Sequence, residues 1–67
     1  MKRIFIVDED TKEEILRFSK TWTNEFPRLI TNFTRTTNGY NIIIEGTEND
    51  ISEFVNKLID NGVTING

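Results

Sequence analysis

Residues 28–45 read RLITNFTRTTNGYNIIIE, and the way this stretch folds back on itself decides the architecture. From Arg28 to Thr37 the side chains alternate with a period of two. Leu29, Thr31, Phe33 and Arg35 share one face, and Ile30, Asn32, Thr34 and Thr36 share the other. Asn38-Gly39 follows, a pair suited to a type I′ turn because both central residues of that turn need positive φ. A two-residue loop at this point predicts Thr37 opposite Tyr40, Arg35 opposite Ile42 and Phe33 opposite Ile44. The return strand then runs from Tyr40 to Glu45, with Ile42 and Ile44 facing inward and Asn41, Ile43 and Glu45 outward.

Upstream, Lys2 to Asp8 is a β-branched and aromatic run that ends in the acidic cluster Asp8, Glu9 and Asp10. Either Arg3, Phe5 and Val7 or Lys2, Ile4 and Ile6 face outward, since both alternations are apolar. Thr11 and Glu14 have the spacing of a capping box, and the carboxylates of Asp10, Glu13 and Glu14 suit the positive end of a helix dipole. Ile15, Phe18, Trp22 and Phe26 recur every three or four residues, and Pro27 stops the pattern, which predicts a helix over about 11–25.

Downstream, Thr47 with Asp50, or alternatively Asn49, caps a second helix over about 48–61. Its apolar stripe is Ile51, Phe54, Val55, Leu58 and Ile59. Gly62 after Asn61 reads as a left-handed stop, and the alternating tail 63–66 reads as a fourth strand. Strands over about 2–8, 28–37, 40–45 and 63–66 with two intervening helices make one α+β domain over 1–67. Right-handed crossovers then give a ferredoxin-like βαββαβ two-layer sandwich, with an antiparallel sheet of order 4-1-3-2 and both helices on one face.

The composition excludes much chemistry. There is no cysteine and no histidine. Disulfides, thiolate nucleophiles, CxxC metal or redox loops and the usual neutral-pH general base are therefore missing. No catalytic residues, metal ligands or cofactors are expected. The acidic clusters sit at helix starts, where carboxylates stabilise the dipole, and this accounts for them without a bound cation. The longest apolar run, Ile4 to Val7, is four residues, against the ~20 that a bilayer requires. A cytoplasmic protein is expected. Ile, Asn and Thr fill 10, 8 and 9 positions while alanine and glutamine are absent, a bias that fits an AT-rich bacterium or its phage.

Helices on one side leave the other sheet face open. Phe5, Ile30, Asn32, Thr34, Asn41 and Ile43 are the expected contact residues of a partner protein or of a second copy. This makes the chain a small regulatory subunit, adaptor or inhibitor. Trp22 and Phe26 are expected in the helix core by their spacing, and Tyr40 at the end of the core. The Ile4-Phe5-Ile6 start resembles the first strand of RNA recognition motifs. That resemblance implies single-stranded nucleic-acid binding through Phe5 as a stacking ring, with Lys2, Arg3, Arg28 and Arg35 on the phosphates. The third strand departs from that family, placing Asn41, Ile43 and Glu45 where aromatic residues belong. The net charge of −3 also removes the electrostatic attraction behind most non-specific binding.

Overall fold

The hairpin closes one residue earlier than the Asn-Gly pair predicts. In the computed structural model, which describes residues 1–65, β2 (Ile30–Thr36) and β3 (Gly39–Glu45) are joined by Thr37 and Asn38, and Thr36 lies opposite Gly39. Neither Thr37 nor Asn38 has positive φ, so the turn is not type I′. Gly39 answers to a different constraint: a Cβ built there would stand 2.4 Å from the carbonyl oxygen of Val7, in the neighbouring strand β1 (Lys2–Val7). Glycine is needed for close backbone approach rather than for the handedness of the turn. The resulting register pairs Phe33 with Ile42 and Arg35 with Tyr40, two residues away from the expected pairing. Faces repeat every two residues, so this shift leaves every side chain on its expected side.

β3 is the central strand of a three-stranded antiparallel sheet of order β1-β3-β2. Its pairing with β1 sets Lys2 opposite Glu45, Phe5 opposite Ile42 and Val7 opposite Tyr40. That register decides the alternation the sequence left open. Phe5 and Val7 enter the core, and Ile4 and Ile6 face out.

The first helix, α1 (Glu9–Thr21), starts earlier and ends earlier than predicted. Asp8 is the N-cap, its Oδ1 accepting from the Thr11 N–H at 2.8 Å, so Thr11 is the donor rather than the cap. At the other end the Thr21 hydroxyl donates to the carbonyl of Arg17, and that of Thr23 to the carbonyls of Ser19 and Lys20. The Trp22 carbonyl takes the N–H groups of Glu25 and Phe26 in a turn. These local bonds compete with the helical ladder and end it well before Pro27. Phe26 reaches the core from the turn instead.

α2 (Glu48–Asp60) begins as expected, with Thr47 Oγ1 accepting from the Asp50 N–H at 3.1 Å. It ends in a Schellman motif. Gly62 takes φ 85° and donates to the Ile59 carbonyl, while Val63 donates to the Leu58 carbonyl. Val63 and Leu58 are both buried, which adds the apolar contact this motif favours. With Val63 committed to the helix cap, residues 63–65 form no strand. The fourth strand expected over 63–66 is corrected to that extent, and Asn66 lies outside the described residues. The expected 4-1-3-2 order is observed as β1-β3-β2.

Both helices cover one sheet face. Ile15 of α1 and Ile51, Phe54 and Leu58 of α2 share a core with Phe5, Val7, Ile42 and Ile44. An aromatic group ties the helices together: Phe18 stacks on Trp22 at 4.7 Å between centroids, and Trp22 and Phe26 both meet Phe54 edge-on, at 5.9 and 5.5 Å. Lys57 lies 4.8 Å from the Trp22 ring centroid and pairs with Glu25. Trp22 and Phe26 are core residues, as their spacing predicts.

Candidate contact surface on the open sheet face

Cross-strand pairing builds the uncovered face in rows. Lys2, Glu45 and Ile30 form the first, Ile4, Ile43 and Asn32 the second, and Ile6, Asn41 and Thr34 the third. Ile4, Ile6 and Ile30 are 56, 65 and 55% exposed, and Ile43 lies half-buried between them. Ile30 is the diagonal neighbour of Ile43, so the four isoleucines run obliquely across the sheet as one apolar band. Asn32, Thr34 and Asn41 rim it on one side. Lys2 and Glu45 approach to 3.9 Å on the other, an exposed pair whose worth is small. A contiguous exposed band of this kind is a feature of contact surfaces rather than of scattered surface apolar residues.

The structure gathers five of the six expected contact residues: Ile30, Asn32, Thr34, Asn41 and Ile43. It removes the sixth. Phe5 is 8% exposed and packs in the helix-side core opposite Ile42, so its expected place on the contact face is corrected. Ile4 and Ile6 take that place. A cross-strand ion pair between Lys2 and Glu45 is the sequence signal that would have found them. Once those two residues are set opposite each other, the register puts Phe5 beside Ile42 and turns Ile4 and Ile6 outward.

The nucleic-acid residues do not assemble. With Phe5 buried, the strand residues of the open face include no aromatic ring for base stacking. Lys2 and Glu45 pair at one end of the sheet, and Arg35 lies opposite Tyr40 at the other. Arg3 has the same parity as Phe5 and so belongs to the helix side.

Two other features among the described residues are accounted for by the fold. Among the described residues no group of three or more carboxylates is arranged to hold a metal ion. Asp8 is occupied as a helix cap, and the hydrogen bonds from the backbone and then the side chain of Thr11 hold its carboxyl below the usual carboxylate range. A cleft of about 290 Å³ between the end of α1 and β2 is lined by Leu16, Trp22, Phe26 and Leu29. The Ser19 and Thr31 hydroxyls in it bond each other at 3.1 Å, and it is the rim of the core. Lys12 sits 4.8 Å from the Tyr40 ring centroid and closes the opposite end of the core. No described helix is long and apolar enough to cross a membrane. Compared with known protein families, curated proteins and solved structures, the chain has no significant match.

Proposed function

We propose that this chain is a small non-catalytic protein-binding module, a regulatory subunit, adaptor or inhibitor that acts through the open face of its sheet. One observation carries the reading: Ile4, Ile6, Ile30 and Ile43 form an apolar band on a face that no described element of the chain covers. Strand-borne aliphatic residues on a rigid sheet are preorganised, so a partner docking there orders little of this chain on binding. The polar rim of Asn32, Thr34 and Asn41 supplies hydrogen-bonding groups around the band, as the periphery of a protein contact requires. The βαββα order and the 1-3-2 sheet support a ferredoxin-like frame in which the place of the fourth strand, along β1, is open to a partner.

The test compares wild type with Ile43→Asp as baits in the native host's extract. Circular dichroism should be unchanged by the substitution. A protein partner retained by wild type and lost by the variant is the expected result. Recovery of nucleic acid alone, with binding that falls steeply as salt rises, overturns the reading.

A further inference from the structure

β1 closes one side of the sheet, and among the described residues no strand pairs with its outer edge. We propose that a second copy of this chain occupies that edge, β1 pairing antiparallel with its own counterpart about a two-fold axis through Phe5 and joining two three-stranded sheets into one of six. This rests on the protein-contact reading in that it uses Ile4 and Ile6 of the same face, and it adds a second copy at the sheet edge beside a partner docked over the band.

The strand is self-complementary in this one register. A two-fold axis normal to the sheet carries open face onto open face, so only residues of like parity meet. Centred on Phe5, it sets Ile4 against Ile6 of the second copy and Lys2 against Asp8 of the second copy, each pair occurring twice. Centred on Ile4 it would set Lys2 against Ile6, and centred on Ile6 it would set Ile4 against Asp8. Charge favours the same arrangement: β1 starts with Lys2 and Arg3, runs uncharged from Ile4 to Val7, and leads into Asp8, Glu9 and Asp10. Antiparallel pairing brings each cationic start against an anionic end. Asp8 caps α1 through Oδ1, and a carboxylate has further lone pairs for a lysine.

The opposite edge lacks this complementarity. β2 is flanked by Arg28 and contains Arg35, with no carboxylate from Arg28 to Thr37. Pairing of β2 with itself would add positive charge from both copies with no opposite charge to meet it, one of the ways sheet edges are kept from associating.

The chain has no cysteine, so single introduced thiols report the register. In an oxidised mixture of Ile4→Cys and Ile6→Cys chains, the 4-to-6 cross-link is expected to form in preference to 4-to-4 or 6-to-6. By sedimentation, wild type at high micromolar concentration is expected to be a dimer. Lys2→Glu should weaken that dimer by roughly tenfold, because two attractive cross-strand pairs become repulsive. Ile43→Asp, on the central strand, should leave it intact.

A wild-type monomer overturns the proposal whether or not another protein binds the face, and so does a monomer whose β1 edge amides resist exchange because its own tail holds them. A dimer that Ile43→Asp dissolves, without preference for the 4-to-6 link, also overturns it in favour of face-to-face packing and leaves the protein-contact reading standing. Edge pairing with the expected link, alongside partner capture that Ile43→Asp does not affect, upholds the proposal and removes the open-face reading.

Discussion

Ile42 and Ile44 on β3 are buried in one core with Ile15, Ile51 and Phe54, while Ile43, between them in sequence, faces the uncovered side with Ile4 and Ile6 beside it. The two faces of one sheet thus carry the same residue type under opposite conditions. β1 and β3 contain the continuous apolar runs Ile4 to Val7 and Ile42 to Ile44. Such runs belong to strands covered on both sides, whereas a strand with one wet face alternates apolar with polar residues. β2 sets Asn32 and Thr34 outward on either side of Phe33 and contributes only Ile30 to the apolar band. The described helices supply one cover, and the contrast with β2 shows that the uncovered apolar surface lies mainly on β1 and β3.

Substitution on either side should separate the faces most sharply. Phe54 is fully buried and meets both Trp22 and Phe26, so Phe54→Ala should cost about 3–5 kcal/mol. A single core of this size rarely supplies more than about 3–5 kcal/mol, so the variant should be largely unfolded without denaturant. Ile6→Thr, on the exposed face of the same fold, should change stability by no more than about 0.5 kcal/mol. Urea titration at dilute concentration measures both. A loss in Ile6→Thr comparable to a core substitution would show that the outer face is shielded within a single chain.

Gly39 joins the two faces, because it sets how closely β1 and β3 approach where Val7 points inward and Ile6 outward. Gly39→Ala places a methyl group 2.4 Å from the Val7 carbonyl oxygen, and backbone must move to admit it. A loss of at least about 1 kcal/mol is expected, the opposite sign from an alanine replacement in relaxed backbone. Proton exchange should rise at the hairpin end of β1 before the Lys2–Glu45 end. A neutral or stabilising result would mean that the strands part there at no cost.

How much of this was legible in the sequence follows from which signals are local. The α2 stripe and both of its caps depend on residues within one turn of each other: Ile51, Phe54, Val55 and Leu58 are buried, Ile59 at the edge of the stripe is exposed, and Thr47, Asp50 and Gly62 behave as their chemistry predicts. The face assignment of β2 and β3 survived a two-residue error in register because periodicity, not turn type, carries it. The burial of Phe5 was not legible, since its neighbours Ile4 and Ile6 are equally apolar and only pairing with β3 decides between them. The early end of α1 was hidden for another reason. Thr21 and Thr23 are tolerable in a helix until their hydroxyls find carbonyls one turn back. The alternation of Val63 with Ile65 mimics a strand, whereas the Val63 N–H closes the α2 cap.

The smallest expected effect lies at Asp8, where the open-face row of β1 ends and α1 begins. Its carboxyl is exposed and held below its ordinary value of 3.8 by hydrogen bonds from Thr11. A depressed folded-state value means that the unfolded chain binds the proton more readily. The stabilisation is therefore present above the ordinary value and is lost as pH falls through the folded one. Asp8→Asn keeps a neutral cap acceptor and removes this dependence. At dilute concentration, wild type should have the higher urea midpoint near neutral pH, and the gap should close as pH falls below 3.8. A constant gap would show that the carboxylate charge contributes nothing as a cap, and a gap that grows with protein concentration would show that the charge acts between copies instead.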